Sequence, residues 1–259
     1  MNKLIAGVVV AAACLLGTPQ AFAQPARPTI VLVHGAFADA SSWNGVIEIL
    51  EKDGYPVIAA ADPRRGVRSD ADSSSSILSS IDSPVVLVGH SYGGSVISLA
   101  ANGHANVKAL VYVSAFAPEA GETAGALSGK FPGSTLGPAL APPVALPNGG
   151  TDLYVRQDRF HEQFAADVPA AQARLMAAEQ RPIAQAALTE ASGEPAWRTI
   201  PSWFAYGDAD RNIPPQALAF MAERARSRQT VVIKGGSHVV MVSNPAPVAA
   251  LSERAATAR

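Results

Sequence analysis

Cysteine is almost absent from this chain, which limits what can hold the fold together. The sequence has 259 residues and one cysteine, Cys14. Cys14 lies within residues 1–23, which combine a basic residue, Lys3, an apolar run and an Ala-Phe-Ala ending, the pattern of a secretory signal peptide. We therefore predict cleavage near Ala23, export to the periplasm or the medium, and a mature chain that can form no disulfide.

A lipid anchor on Cys14 is the alternative interpretation of the same stretch. Three alanines precede Cys14, but the large aliphatic residue usual three places upstream of a lipoprotein cysteine is missing. The apolar run from Leu4 to Gly17 is also shorter than the roughly 18 to 20 residues that cross a bilayer, and no second such run follows. The sequence therefore predicts no membrane-spanning helix.

Charge is scarce and evenly spread. Charged residues make up 16% of the chain, the formal net charge is −1, and the basic residues form no stripe, so neither nucleic acid nor an anionic membrane is indicated as a partner. The five histidines lack metal-ligand spacing, and the glycine patterns of phosphate-binding loops are absent. We therefore expect no metal and no cofactor, and the oligomeric state stays open.

Short apolar runs that alternate with helical segments are what the chain has in abundance. Near-continuous apolar runs, typical of buried parallel strands, lie at 29–33, 55–60, 84–88, 107–113, 200–206 and 230–233. Helical segments are predicted at 42–52, 69–80, 94–102, 214–226 and 245–256. The alternation predicts one α/β domain over 24–259 with a doubly wound, mostly parallel sheet of about six strands.

One segment, residues 117–196, interrupts this alternation. It begins with a Pro/Gly/Ala-rich part and continues as helical sequence from about 151 to 191, with no strand evident. The helical part carries large side chains that require burial, namely Tyr154, Phe160, Phe164, Leu175 and Met176. We therefore expect a helical lid over one end of the sheet, with a disordered linker as the alternative for the Pro/Gly-rich part.

The run VVLVGHSYGGSVIS at 85–98 places a serine where a chain normally needs only a turn. A strand that passes through Gly-x-Ser-x-Gly directly into a helix presents Ser91 above the sheet edge, and its glycines avoid collisions with the neighbouring strand and helix. Backbone N–H groups at the helix start, including that of Tyr92, lie where an oxyanion would form. We predict that Ser91 is a nucleophile.

A serine hydroxyl needs a base, and the base needs an acid that orients it. His238 follows the last apolar run in a Gly/Ser-rich loop, where catalytic groups gather in α/β sheets, whereas His90 is expected to point away from Ser91. Two carboxylates, Asp208 and Asp210, follow the preceding run, and only one of them can hold the imidazole. Asp210 is preferred because it lies where the loop turns into the next helix, and Asp208 is the alternative.

The loop after the first apolar run, VLVHGAFADASSW, supplies the second half of an oxyanion hole. Gly35 permits a sharp turn, after which the N–H of Ala36 can join that of Tyr92 in facing a developing alkoxide. Phe37 and Trp43 are candidates for the substrate pocket. Ordinary packing against the first helix is the alternative role for both side chains.

The runs VLVHGAF, VGHSYGG, YGDADRNIPP and GGSHVVMVSNP together resemble the α/β-hydrolase superfamily, and in particular its branch of plant methylesterases, hydroxynitrile lyases and small bacterial esterases. The resemblance implies Ser91 as nucleophile, Asp210 as acid partner through the D-x-x-I-P pattern, and His238 as base. It is weak across 117–196. Val239 stands where the lyases carry a lysine, which argues against cyanohydrin cleavage.

These features predict an exported, cofactor-free serine esterase that acts on small to medium uncharged esters through an acyl-enzyme. Three alternatives stay open on the same residues. The enzyme could hydrolyse lactones, amides or carbon–carbon bonds, it could be a perhydrolase, or the chain could be a binding protein that keeps the fold without the reaction.

Overall fold

A parallel sheet is the centre of the fold. The computed structural model describes residues 27–147 and 149–258, so the predicted signal peptide at 1–23 and Cys14 lie outside the described residues. The strands in chain order are β1 (Thr29–Val33), β2 (Val57–Ala60), β3 (Val85–His90), β4 (Val107–Val113), β5 (Val144–Ala145), β6 (Thr151–Leu153), β7 (Ile183–Ala184), β8 (Ser202–Gly207) and β9 (Thr230–Ile233).

Most helices connect these strands, and the last two helices follow β9. In chain order they are α1 (Asn44–Lys52), α2 (Val67–Ser79), α3 (Tyr92–Ala100), α4 (Ala124–Ser128), α5 (Leu136–Ala139), α6 (Gln157–Phe164), α7 (Ala170–Glu179), α8 (Gln185–Thr189), α9 (Pro215–Arg224), α10 (Val240–Ser243) and α11 (Pro245–Thr257). No helix in the described ranges is long and apolar enough to cross a membrane.

The main sheet has six strands in the order β2-β1-β3-β4-β8-β9, and every neighbouring pair is parallel. This confirms the predicted doubly wound sheet. β1, β3 and β8 are buried along their whole length, which explains their unbroken apolar runs. The chain leaves β1 toward β2 on one side and returns to β3 on the other, so the helices that follow β1 and β3 go to opposite faces and a crevice forms at the carboxyl ends of these strands.

Helices cover both faces of this sheet. α1 packs against α11, which also contacts β3, β4 and β8, whereas α2 packs against α3. Because strand order reverses between β1 and β3 while the crossovers keep one hand, α1 and α3 lie on opposite faces. The apolar core is therefore sealed on both sides, and the carboxyl ends of the strands are the natural place for a site.

The segment 117–196 differs from its prediction. It contains helices α4 to α8, but β5, β6 and β7 form a small antiparallel sheet where we predicted no strand. Strands of two or three residues carry no readable period, and β7 pairs with a strand that is distant in the chain. Phe160 and Phe164 are fully buried as expected, whereas Leu175 is 52% exposed, which the burial prediction missed.

Gly207, at the end of β8, gives a prediction about stability. A Cβ added there would lie 2.0 Å from the carbonyl oxygen of Gly236, and backbone atoms cannot move aside cheaply. We expect Gly207→Ala to lower the free energy of unfolding by roughly 1–3 kcal/mol. In thermal unfolding followed by circular dichroism, this corresponds to a melting temperature that is lower by roughly 2–12 °C.

Gly137→Ala is the matched control, because nothing lies within 4 Å of a Cβ added at Gly137. Equal melting temperatures for the two variants would contradict the close approach of the chain at Gly207.

Candidate active site

Ser91 occupies the strained turn that the glycine spacing predicts. It lies between β3 and α3 with φ 53° and ψ −122°, outside the conformations that most residues adopt. A Cβ on Gly89 would lie 2.7 Å from the carbonyl oxygen of Gly93, and one on Gly93 would lie 2.6 Å from that of Val33. The turn can therefore form only with glycine at both flanking positions, and it presents the serine at the mouth of the crevice.

His238 and Asp210 form a buried pair at the same edge of the sheet. His238 Nδ1 lies 2.7 Å from Asp210 Oδ2, and the two side chains are 1% and 0% exposed. The other carboxylate oxygen accepts hydrogen bonds from the N–H groups of Asn212 (2.8 Å) and Ile213 (3.0 Å). Because a carboxylate faces Nδ1, that nitrogen carries the proton and Nε2 is left as the acceptor.

Asp208, the alternative partner, has a different role. Its carboxylate is exposed and accepts a hydrogen bond of 2.6 Å from the N–H of Gly235 in the loop before His238. Asp208 thus braces the neighbouring turn and does not contact the imidazole. Of the two carboxylates that the sequence offers, only Asp210 contacts His238.

Ser91 and His238 line one cavity of about 300 Å³, together with Ala36, Phe37 and Tyr92. Within the described residues no hydrogen bond joins the Ser91 hydroxyl to His238. Catalytic hydrogen bonds in unliganded sites are often long and tighten when substrate binds. The structure therefore brings the nucleophile and base candidates to a common space without closing the contact between them.

Two backbone N–H groups border this cavity where the sequence places an oxyanion hole. The N–H of Ala36 comes from the loop after β1 and that of Tyr92 from the first turn of α3, and neither donates a hydrogen bond within the described part of the chain. Phe37 is held at φ 60° with its N–H bonded to the carbonyl oxygen of Arg181 at 3.0 Å. Both N–H groups are thus available to an oxygen in the cavity.

Trp43 and His90 differ from their predictions. Trp43 is fully buried and packs edge-on against His90 at 6.4 Å between ring centroids, so it belongs to the core and not to the pocket. His90 does not point away from the site. Its ring lies 4.8 Å from that of His238, and its Nε2 lies 3.1 Å from the His238 carbonyl oxygen. Burial, with the nearby His238, lowers the pKa of His90 well below its ordinary value, so a neutral ring packs against His238.

A buried polar network braces both loops of the crevice from behind. The Tyr92 hydroxyl donates to Asp70 at 2.7 Å, and the Arg64 guanidinium lies 3.2 Å from the ring nitrogens of His34. Burial lowers the pKa of His34 to about 4. Burial also raises the pKa of Asp62 from 3.8 to about 7, and the negative charge of Asp70 adds to that rise. No sequence motif identified this network, because its members come from three separate stretches of the chain.

Comparison with known proteins gives the family of this chain. The model of the alpha/beta hydrolase family matches residues 30–251. The chain belongs to that family. Within the described residues of this alpha/beta hydrolase, no group of three or more His, Cys, Asp or Glu side chains is placed to hold a metal ion.

One curated relative and several solved structures are similar to this alpha/beta hydrolase. A carbendazim-hydrolyzing esterase from Nocardioides sp. (strain SG-4G) is 34% identical over 106 residues, which are 36% of this chain and 44% of that one. The crystal structure of polyneuridine aldehyde esterase aligns with a TM-score of 0.76 at 20% identity, over 88% of this chain and 98% of that one. A pyrethroid hydrolase from Sphingobium faniae JZ-2 aligns with a TM-score of 0.69 at 21% identity, over 89% and 98%. These structures share the fold.

Asp62 gives a prediction about stability and pH. In the folded state its carboxyl keeps its proton up to about pH 7, whereas in the unfolded chain it ionises near pH 3.8. The stability that this group contributes is therefore present below about pH 4 and is lost as the pH rises to about 7. The Asn of the Asp62→Asn variant cannot titrate. Its free energy of unfolding, measured in urea, should therefore rise by roughly 1–4 kcal/mol relative to that of the parent between pH 4 and pH 8.

Asp72→Asn removes an exposed carboxylate from α2, the helix that also carries Asp70, and is the control. It should show no such gain. A difference between Asp62→Asn and the parent that stays constant across this pH range would refute the buried, protonated carboxyl.

Proposed function

We propose that the protein is a serine hydrolase that cleaves carboxylic esters through an acyl-enzyme. The observation that carries the proposal is the buried Asp210–His238 contact at 2.7 Å beside a cavity that Ser91 also lines. A carboxylate that fixes the imidazole, an imidazole nitrogen left as acceptor and a serine on a strained turn are the parts that acyl transfer requires.

The reaction would proceed in two halves. His238 Nε2 takes the proton of Ser91 as its oxygen attacks the ester carbonyl, and the N–H groups of Ala36 and Tyr92 stabilise the negative oxygen. His238 then gives the proton to the departing alcohol, which leaves an acyl group on Ser91. A water molecule, deprotonated by His238, releases the acid and restores the serine.

The lining of the cavity supports uncharged substrates. Apart from the site residues, it is formed largely by apolar side chains: Phe116, Ala124, Leu136, Leu140, Leu188 and Ile213. In the part of the chain that the structure describes, no Lys, Arg, Asp or Glu side chain lines it, so a charged acyl group would lose hydration without a partner. The relatives named above, an esterase acting on carbendazim and a pyrethroid hydrolase among them, support ester hydrolysis as the reaction class.

Segment 117–196 and the N-terminus complete the proposal. The segment supplies most of the apolar wall of the cavity, which supports its role as a lid.

Export after cleavage near Ala23 is proposed from residues 1–23 alone, with lipid attachment at Cys14 as the alternative. A solved neighbour, described as an extracellular alpha/beta-hydrolase from a Paenibacillus species, is 22% identical with a TM-score of 0.70.

Ser91→Ala tests the nucleophile. The variant should lose turnover of an activated ester such as p-nitrophenyl acetate by roughly 1,000-fold or more, because the acyl-enzyme cannot form. A fluorophosphonate probe should label the parent at Ser91 and leave the variant unlabelled.

Ser95→Ala is the matched control for Ser91→Ala. Ser95 lies one turn further along α3, is 1% exposed, and its hydroxyl has no partner among the described residues. It should retain activity and labelling. A parent that takes no label and cleaves no ester would favour the binding-protein alternative, and an active Ser91→Ala would exclude the serine mechanism.

The two carboxylates give a second test. Asp210→Asn should lower kcat by roughly 1,000- to 10,000-fold, because an amide cannot hold the imidazole in the correct tautomer. Asp208→Asn should retain most of the activity, since within the described residues the Asp208 carboxylate accepts its hydrogen bond from the N–H of Gly235 and not from His238. Steady-state kinetics on the same ester compare the two variants, and the reverse ranking would show that Asp208 is the catalytic acid.

A further inference from the structure

Phe37 separates two hollow spaces on the surface of the protein. One is the catalytic cavity of about 300 Å³ that holds Ser91 and His238. The other, which we call the outer groove, has a volume of about 170 Å³ and lies between residues 37–44 and helix α7, with Leu175 and Met176 on its far wall. Phe37 lines both spaces and therefore stands between them; we call this residue the partition.

The ring of Phe37 is held firmly in this place. It is 3% exposed and packs edge-on against Phe164, with 6.1 Å between ring centroids. Phe164 in turn packs against His238 at 5.1 Å. The Phe37 backbone is fixed at φ 60° by the hydrogen bond from its N–H to the carbonyl oxygen of Arg181. The partition is therefore part of the same packed cluster as the candidate base.

The position of His238 tells which part of a substrate meets this partition. In ester cleavage the departing alcohol oxygen receives its proton from His238, so the alcohol portion must lie on the His238 side of the carbonyl group. Phe164 and Phe37 border that side. The outer groove continues beyond it, because Val242, four residues after His238, is part of the groove lining.

We propose that Phe37 is a specificity-determining residue that limits the size of the alcohol portion of the ester, and that the outer groove is a second subsite which its ring closes off. This inference rests on the proposed function. With the ring present, the alcohol portion is confined to the catalytic cavity. Without the ring, the cavity and the outer groove join, and an alcohol with a bulky end can pass into the groove.

The lining of the outer groove also favours one charge. Asp39 and Glu179 both line it, and among the described residues no lysine, arginine or histidine does. A cationic end group in the groove would therefore gain attraction, weakened by solvent because the Glu179 side chain is exposed. Removal of the Phe37 ring should consequently raise kcat/KM more for esters of a cationic alcohol than for neutral esters of the same shape.

Two substitutions at position 37 separate the ring from the backbone. Phe37→Ala removes the ring and leaves an L-residue at positive φ, whereas Phe37→Gly removes the ring and also suits that φ. Kinetics would compare three acetate esters, of ethanol, of 3,3-dimethylbutanol and of choline. In both variants kcat/KM for the two bulky esters, relative to ethyl acetate, should rise by roughly tenfold or more over the parent.

Choline and 3,3-dimethylbutanol have the same shape and differ in charge. The ratio of kcat/KM for their two acetate esters therefore measures the effect of the negative charges in the outer groove. We expect the choline ester to gain about two- to fivefold more than the neutral ester in the Phe37 variants, and Glu179→Gln in the Phe37→Gly background to reduce that difference. Leu175→Ala, which widens only the outer groove and leaves the Phe37 ring in place, is the control. Because the alcohol portion does not reach the groove while the ring is present, this variant should leave the ratio of alcohols unchanged.

The outcomes distinguish the two proposals. A parent that cleaves none of these esters and takes no fluorophosphonate label would overturn the proposed function and this inference with it. A parent that cleaves ethyl acetate, combined with Phe37→Ala and Phe37→Gly variants whose alcohol ratios match the parent, would overturn only the role of Phe37. If Phe37→Ala fails to fold, Phe37→Gly decides the question, since it removes the strain as well as the ring.

Discussion

The close approach of backbone to backbone at the carboxyl ends of β1 and β3 is the constraint on which the site depends. A Cβ at Gly93 would lie 2.6 Å from the carbonyl oxygen of Val33, and one at Gly35 would lie 2.6 Å from the Ser91 Cβ. The loops after the two strands can meet only because glycine stands at these positions. Their contact fixes the distance between the Ala36 and Tyr92 N–H groups, and the strain of the Ser91 turn is offset by the strands on both sides.

Burial gives the His238–Asp210 pair both its strength and its cost. In a low-dielectric interior an ion pair or charged hydrogen bond is strong, but each partner loses hydration, and a lone partner would be left uncompensated. The surrounding groups reduce this cost. Two backbone N–H groups bind the second oxygen of Asp210, and the neutral ring of His90 binds the His238 carbonyl. These polar contacts together hold the His238 imidazole in one orientation.

The sequence predicted the parts of the site that depend on local geometry. A tight turn needs its glycines within two residues of the serine, and a buried parallel strand shows as a continuous apolar run, so the Ser91 turn and all six strands of the main sheet could be predicted. The placement of His238 beside the same cavity agrees with its prediction, and the catalytic roles of Ser91 and His238 stay predictions. Asp210 could only be preferred over Asp208, because two carboxylates two residues apart fit the same loop. The contact with His238 decides between them.

Features that depend on distant partners could not be predicted. Trp43 and His90 both stand beside motif residues, yet one is core and the other supports His238, and only the three-dimensional packing separates these roles. Strand β7 pairs with β6 across a long stretch of segment 117–196, whereas β5 and β6 are joined by the short loop 146–150. The large apolar side chains of this segment indicated that it must pack against the rest of the domain. The sequence did not indicate which of these side chains would be buried there.

Segment 117–196 makes polar contacts with the loops that carry Phe37 and His238 and with Arg64, so the same segment covers the candidate site and holds parts of it in place. The Arg181 carbonyl binds the Phe37 N–H, the Pro182 carbonyl binds the Arg64 side chain at 2.9 Å, and Asp167 binds the Ser237 hydroxyl beside His238. A segment that merely covered the cavity could vary freely. Here a change in the backbone at 167–182 would move Phe37 or the His238 loop. Substitutions that change substrate choice without moving these loops are therefore limited to side chains that face the cavity and make none of these contacts.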